Sequence, residues 1–428
     1  MSHFVIIGGG LAAASAAETL RAEGFDGDVT VVTREAHAPY QRPPLSKGYL
    51  AGAEGLDAVI VHPEQWYAEN AIDLRTSTEA THLDPVAHTV TLGSGSGSGN
   101  GNGSDSGNDT ATSNTAETLH YDKLLLATGA TSRMLPIEGA DLAGVHTLRT
   151  LDDSDALAAV LRHGGRSLVL IGSGWIGMEV GATARTLGNS VTILEREAVP
   201  LAVAVGPEMG RVFQALHEAN GVDLRTQVNV ERIVGRGGQV TGVVVDGETV
   251  PADLVLIGVG AVPALELATD ANLAIGNGVL VDAALRTSAP DVFAAGDVAN
   301  AFHPVVARHQ RSEHWANALN AGPVAAKSML GQRVSFSQIP YFYTDQFDLG
   351  MELSGYPSLM AEAKLHVRGD VAGREFIAFW VDHGRVVGGM NVNVWDVNEQ
   401  VQALIRSGDV VDLAALLDPN TPLESLLA

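Results

Sequence analysis

A chain of 428 residues, 46% hydrophobic and 18% charged, is globular in composition, and on a prior of roughly 100 to 200 residues per domain it divides into two to four of them. With 26 Lys plus Arg against 50 Asp plus Glu, the formal net charge is -24, a field that repels a phosphate backbone and argues against nucleic-acid binding. No cysteine is present, which excludes structural disulfides, thiolate metal sites and a redox-active dithiol.

The N-terminal MSHFVIIGGG enters an apolar strand within three residues, leaving no room for the charged and apolar regions of a signal peptide. No run reaches the roughly 18 apolar residues of a membrane span, so a cytoplasmic protein that meets no membrane is expected.

The opening FVIIGGGLAAASAAETLRAEG reads as strand, glycine turn and helix. Gly8, Gly10 and Ala13 occupy the G-x-G-x-x-G/A positions. The first glycine permits a tight turn, the second lets the backbone approach a pyrophosphate, and the third small residue allows close helix packing. A second strand, VTVVTRE, leads to Glu35, whose carboxylate can accept hydrogen bonds from ribose hydroxyls. Further on, HTVTL and LHYDKLLLATG are separated by Gly93 to Thr118, a low-complexity stretch with no aromatic or branched aliphatic residue to bury. A short hairpin turn would suffice there, so the stretch is expected to be a flexible surface insertion without a catalytic part.

The fingerprint then recurs. SLVLIGSGWIGMEVGATARTLG carries Gly172, Gly174 and Gly177, and the next strand leads to Glu195. One such pattern is a weak signal; two, each in a strand-turn-helix setting with an acidic residue about 20 to 30 positions on, point to two bound dinucleotides. The simplest pair is a flavin and a nicotinamide. At the ribose, Glu195 would repel a 2'-phosphate and so favours NADH, while Arg196 beside it acts in the opposite sense. Within the second fingerprint Glu179 interrupts a run that otherwise reads as buried. Either it is an acid in the first helical turn, favoured by the helix dipole by about 0.3 to 1 kcal/mol, or it partners a functional cation.

The strand ADLVLIGVGAVP follows, and DVFAAGDVA (Asp291 to Ala299) ends another strand in Gly296-Asp297. That aspartate is either a helix cap or a ligand for ribityl hydroxyls, since ligands sit at strand C-termini in open α/β sheets. Between His303 and Arg333 the cations Arg308, Arg311, Lys327 and Arg333, with His303, His309 and His314, face only Glu313. Arg308, Arg311 and Trp315 are spaced three and four apart, predicting one helical face. Such a face would steer an acidic protein carrier, or it is an ordinary solvated surface.

These motifs, together with PYQRPPLSKGYLAG (Pro39 to Gly52), resemble the FAD-dependent, NADH-linked ferredoxin reductases of bacterial oxygenase systems, the putidaredoxin reductase and biphenyl dioxygenase ferredoxin reductase kind. The likeness runs from about Phe4 into the C-terminal domain. It implies an α/β chain with two Rossmann-like dinucleotide-binding domains of the glutathione reductase type and a C-terminal α+β domain. The FAD domain would comprise residues 1–131 and 259–335, the inserted NAD domain 132–258, and the C-terminal domain 336–428. In this family the lysine at the position of Lys47 lies beside the isoalloxazine, and the acid at the position of Glu179 reaches across to it. Physically, a carboxylate keeps a desolvated ammonium charged and oriented, and a fixed cation stabilises the negative charge of reduced flavin.

Carried over position by position, the resemblance implies FAD contacts at Gly8, Gly10, Ala12, Ala13, Glu35, Arg42, Lys47, Ala80, Thr128, Gly129, Arg133, Gly296, Asp297 and Trp315. It implies NADH contacts at Gly172, Gly174, Ile176, Gly177, Glu195, Gly258 and Gly260. Read by themselves, Arg42 and Arg133 are phosphate or ring contacts or else surface ion pairs, and Trp315 matches any buried helical tryptophan. PYFYTDQFDLG is similar to the family segment PYFWSDQ, with Tyr343 keeping an aromatic face where relatives have Trp. The implied activity passes hydride from NADH to the flavin and then single electrons to a [2Fe-2S] ferredoxin docking near Arg308, Arg311 and Arg333; no metal site is implied in this chain. A dithiol reductase is ruled out by the missing cysteines. An oxygen-using NADH oxidase, told apart by whether a ferredoxin accelerates NADH consumption, and a redox sensor similar to apoptosis-inducing factor, told apart by an NADH-dependent change of assembly, are the other readings.

Overall fold

The computed structural model describes residues 1–94 and 117–427. The insertion expected over 93–118 therefore lies, apart from its ends, outside the described residues. Those ends belong to the antiparallel strands Thr89–Ser94 and Glu117–His120, in which Leu92 lies opposite Glu117.

Two compact units form, each from three stretches of chain. The first comprises Met1–Gln41, Asp57–Thr131 and Pro263–Gln338; the second comprises Arg42–Leu56, Ser132–Val262 and Ile339–Ala428.

In the first unit a five-stranded parallel sheet runs in the order Val292–Ala294, Lys123–Leu126, His3–Ile7, Asp28–Val32, Ile72–Arg75. Runs such as FVII and LLL are apolar on both pleat faces because helices and other elements cover both sides of a parallel sheet. The helices Leu11–Ala22 and Trp315–Met329 pack closely on one another. Small residues permit this: a Cβ on Gly322 would lie 2.5 Å from the Ala12 carbonyl oxygen. A four-stranded sheet, Ile275–Gly276, Gly278–Val281, Ala299–His303 and Arg308–Gln310, and a three-stranded antiparallel one, Thr78–Asp84, Thr89–Ser94 and Glu117–His120, complete the unit.

The second unit repeats the plan. Its parallel sheet runs Asp223–Arg225, Ser190–Leu194, Ser167–Ile171, Leu254–Ile257, Val145–His146. In both sheets the first strand of the fingerprint sits centrally, with its sequence successor on one side and a later strand on the other. That is a topological switch point, where a crevice opens beyond the strand C-termini. An antiparallel sheet of Val230–Arg236, Gln239–Val245 and Glu248–Pro251 adds to this body. The C-terminal part is a five-stranded antiparallel sheet, ordered Tyr341–Gln346, Leu349–Gly355, Arg385–Val392, Glu375–Asp382, Lys364–Asp370. Helix Asn398–Ser407 lies against it, and Val401 comes so close to Gly389 that a Cβ there would be 2.4 Å away. Among the described residues no helix is long and apolar enough to cross a membrane, and no cluster of side chains could hold a metal ion.

Candidate active site

In the first unit, the strand His3–Ile7 turns at Gly8, whose φ is +141°. A Cβ at Gly8 would lie 2.1 Å from the Ala127 carbonyl oxygen, so only glycine lets the turn pass beside the strand end that carries Thr128 and Gly129. Gly10 is the N-cap of helix Leu11–Ala22 and offers no side chain to cap it. A Cβ on Gly10 would meet nothing within 4 Å, so the positive helix end faces room for an anion. Ala12 and Ala13 are buried just inside, and Gly296 closes on them, its would-be Cβ 3.1 Å from that of Ala12. Asp297 follows, part-buried, on the short turn Gly296–Val298. The structure thus brings Gly8, Gly10, Ala12, Ala13, Thr128, Gly296 and Asp297 to one crevice.

Around it, the Thr128 hydroxyl donates to the Ala264 carbonyl at 3.0 Å, and Gly129 takes a φ of +70°. Glu35 accepts a hydrogen bond from the Tyr40 hydroxyl. Trp315 opens its helix and donates its indole N–H to Gln41 at 2.9 Å. Ala80 lies opposite Leu92 in the antiparallel sheet and packs on the core. Open space before an uncapped helix, flanked by carboxylates that can accept hydroxyls, fits the pyrophosphate and sugar of a dinucleotide.

The second cradle is built alike. Gly172 has a φ of +99°, and a Cβ there would lie 2.6 Å from the Gly258 carbonyl oxygen. Gly174 caps helix Trp175–Thr186 without a side-chain bond, and its would-be Cβ has no neighbour nearer than 3.9 Å. Gly177 lets the helix close on the turn, since a Cβ would be 2.3 Å from the Gly172 carbonyl oxygen. Gly258 and Gly260 follow strand Leu254–Ile257, and the exposed Arg133 donates its backbone N–H to Gly260 at 2.9 Å. Ile176, in the first helical turn, is 41% exposed beside the open cap. Arg42 also belongs to this unit and donates to the Arg149 carbonyl.

Glu195 is held tightly. It accepts from the Ser173 N–H at 2.8 Å, from the Ser173 hydroxyl at 2.5 Å and from the Glu197 N–H at 2.8 Å. Ser173, the residue between the two glycines, was not singled out from sequence; a short hydroxyl in that place, close to the strand-end acid, was the available signal. Arg196 is largely exposed and pairs with Glu197 at 3.3 Å.

The third feature is an ion pair. Pro43 and Pro44 favour the tight turn Pro43–Ser46, after which Lys47 leads into the short helix Gly48–Ala51. Lys47 Nζ lies 2.8 Å from Glu179 Oε2, with the two side chains 17% and 3% exposed. Glu179 is the fifth residue of helix Trp175–Thr186, and no acid stands in that helix's first turn. The dipole explanation therefore fails, because that effect fades within the first turn. Donors hold the carboxylate instead: the Ser46 hydroxyl at 2.5 Å, the Thr344 hydroxyl at 2.6 Å and Lys47. The Tyr343 ring lies 5.6 Å from Lys47 Nζ, within cation–π range. Burial first, and then Glu179, Asp345 and Glu54, push the Tyr343 hydroxyl up to about 12, so it keeps its proton.

The expected basic helical face is corrected. Arg308 lies in strand Arg308–Gln310, antiparallel to Ala299–His303, and the helix begins only at Trp315. A turn after His303, with Ala307 at a φ of +50°, folds the chain back as a hairpin. A spacing of three and four over so short a stretch does not distinguish helix from hairpin. Arg311 is 12% exposed and serves internal contacts, to Glu313 at 2.5 Å and to the Asp297 carbonyl at 3.3 Å. Burial holds His303 and His314 below the usual histidine range, so neither adds charge near neutral pH. Lys327 pairs with Glu23 at 3.2 Å. Arg308 and Arg333 are exposed.

Two nucleotide cradles at the switch points of parallel sheets, followed by an antiparallel C-terminal domain, define a class of pyridine-nucleotide flavoproteins. Residues 2–322 match the family described as pyridine nucleotide-disulphide oxidoreductase, and residues 341–427 match the reductase C-terminal domain. The chain belongs to that family of reductases. The 5,5'-dehydrodivanillate O-demethylase ferredoxin reductase subunit of a Sphingobium species is 35% identical over 100% of this chain and 99% of its own. The biphenyl dioxygenase system ferredoxin–NAD(+) reductase component of Paraburkholderia xenovorans is 36% identical, over 99% of this chain and 97% of its own. Among solved structures, the covalent putidaredoxin reductase–putidaredoxin complex matches with a TM-score of 0.90 at 30% identity, covering 99% of this chain and 98% of that one. The resemblance read from the motifs and the expected α/β fold both hold. The family name refers to disulphide chemistry, but a chain with no cysteine has no dithiol to perform it.

Proposed function

We infer that this chain holds FAD in the first cradle, takes hydride from NADH held in the second, and passes electrons singly to a [2Fe-2S] ferredoxin that feeds a monooxygenase or dioxygenase. The observation that carries the reading is the buried Lys47–Glu179 ion pair, 2.8 Å long, with Tyr343 over the lysine. Desolvating an ion pair costs about as much as its own attraction returns, so stability alone does not account for this one, and a fixed ammonium is what a ring gaining negative charge needs. Bound FAD supplies the exchange between two-electron and one-electron chemistry.

The chain's own residues bind and orient. Backbone N–H groups beyond Gly8 and Gly10, and beyond Gly172 and Gly174, receive the two pyrophosphates. Asp297 and Glu35 take hydroxyls of the flavin nucleotide. Glu195, fixed by Ser173, takes the ribose of NADH and disfavours a 2'-phosphate. Lys47 supplies positive charge at the flavin ring, and Glu179 keeps it in place. No side chain forms a covalent bond.

We assign the FAD domain to residues 1–131 and 259–335, the NAD domain to 132–258 and the C-terminal domain to 336–428. Each of the first two contains one parallel sheet with its fingerprint. The ferredoxin is proposed to dock near Arg308 and Arg333, exposed cations in an acidic protein, while Arg311 donates to the Asp297 carbonyl. The reaction is placed in the cytoplasm, where NADH is replenished. Support for the partner comes from relatives named as ferredoxin reductase components of oxygenase systems.

Stopped-flow mixing of the FAD-loaded protein with NADH, alone and with candidate [2Fe-2S] carriers, tests both half-reactions. Rapid flavin bleaching, followed by carrier-dependent return of its colour, is expected. NADH consumption that oxygen alone sustains at full speed would overturn the ferredoxin half.

A further inference from the structure

The Glu179 carboxylate receives more than Lys47 and Ser46; it also ends a chain of hydrogen bonds that starts on another helix of the same unit. Thr344 donates to Glu179 at 2.6 Å, Gln346 Nε2 donates to the Thr344 hydroxyl oxygen at 3.2 Å, and His217 Nε2 meets Gln346 Oε1 at 2.9 Å. Thr344, Gln346 and His217 are fully buried. Thr344 and Gln346 are alternate residues of strand Tyr341–Gln346 and so share one face. His217 belongs to helix Ala202–Ala219.

One arrangement of hydrogens satisfies every link. A carboxylate only accepts, so the single Thr344 proton goes to Glu179. The threonine oxygen must then accept, which turns the Gln346 NH₂ toward it and the amide oxygen toward His217. The histidine closes the chain as the neutral form protonated at Nε2. Burial holds His217 down to about 4, in keeping with that neutral form, and its Nδ1 finds no partner among the described residues. A primary amide in the middle does not pass protons at ordinary pH, so the chain orients and does not conduct.

We propose that Thr344 and Gln346, backed by His217, are positioning residues for hydride transfer: they fix the Glu179 side chain and, through it, the direction of the Lys47 ammonium. The proposal rests on the assignment of Lys47 and Glu179 to flavin reduction. Sequence reading missed these residues because the contacts join positions 129 and 165 residues apart.

The test uses full-length, FAD-loaded protein and stopped-flow reduction by NADH. Thr344→Val keeps the shape and removes the hydroxyl, and is expected to slow the limiting rate about tenfold, the effect of losing a hydrogen bond to a charged group. Flavin content and apparent NADH affinity should stay near wild type. Thr344→Ser should restore most of the rate, which a purely space-filling threonine would not predict. In a Lys47→Ala background, Thr344→Val should add little further slowing, since its effect passes through the lysine. Gln346→Met examines the next link and decides the matter if Thr344→Val retains no flavin; about threefold slowing is expected. Wild-type rates in Thr344→Val and Gln346→Met, or a Thr344→Ser as slow as the valine variant, would overturn the proposal alone. A wild-type protein whose flavin NADH fails to reduce would bring down the parent assignment together with it.

Discussion

The two cradles share a strand, a glycine turn and an uncapped helix, and they differ at the residue between the paired glycines. In the first it is Gly9, where a Cβ would lie 2.1 Å from the Thr33 hydroxyl oxygen; the strand-end threonine already fills that space. Its acid, Glu35, is held from the following loop by Tyr40. In the second it is Ser173, whose N–H and hydroxyl both reach Glu195. One cradle thus secures its strand-end acid from the following loop, the other from within the turn. Under the proposed function, the second cradle would build the choice of coenzyme into the same turn that takes the pyrophosphate.

The hardest way to break the comparison is to add a methyl group to each turn. Gly8→Ala combines a positive φ with a 2.1 Å clash against backbone, and Gly172→Ala combines one with a 2.6 Å clash. The first variant should purify without flavin. The second should remain yellow yet lose reduction by NADH. Visible absorbance of the purified proteins, then NADH titration, reads both; a yellow Gly8→Ala protein would remove FAD from the first cradle.

Glu195→Arg comes next. Replacing a carboxylate by a cation at the ribose position should move the ratio of specificity constants toward NADPH by about a hundredfold, whereas Glu35→Gln should leave that ratio alone and weaken only FAD retention. Lys47→Ala separates retention from reactivity: FAD content should hold while flavin reduction slows about thirtyfold, the range for losing a charge-assisted contact. Ser173→Ala sharpens the contrast between the turns. Freed from its hydroxyl partner, Glu195 should lose about threefold in discrimination, with no change in bound FAD. An unaltered coenzyme ratio in Glu195→Arg would break the assignment of that acid.

What could be read from the sequence follows the range of the interactions. The glycine turns, the small residues behind them and the strand-end acids are local in the chain, and the parallel strands announce themselves as apolar runs. Lys47 and Glu179 were paired through a family resemblance, since nothing local links residues 132 positions apart. Their further partners Ser46, Thr344, Gln346 and His217 are ordinary polar residues whose burial arises only when distant segments pack. Arg308 shows the opposite failure, in which a short charged stretch satisfied a helical spacing while pairing across a hairpin with Ala299–His303 decided its structure. Likewise the sequence groups the histidines of that region with its cations, whereas burial holds His303 and His314 below the usual histidine range.

The smallest expected effect concerns those remaining cations, and it divides the two half-reactions. Arg308→Glu and Arg333→Glu alter exposed charges that take part in no ion pair among the described residues, so FAD binding and reduction by NADH should match wild type. At a protein docking surface a peripheral charge acts mainly on the encounter rate, and salt screens it. Electron delivery to an acidic [2Fe-2S] ferredoxin should therefore slow about threefold for each variant at low ionic strength and converge on the wild-type rate in about 0.5 M salt. Because the whole chain carries a net charge of -24, the carrier approaches against a general repulsion, and surface around an exposed arginine is where that repulsion is least. If both variants reduce the carrier as fast as wild type at low salt, the docking face lies elsewhere, and the electron exit has to be sought without Arg308 and Arg333.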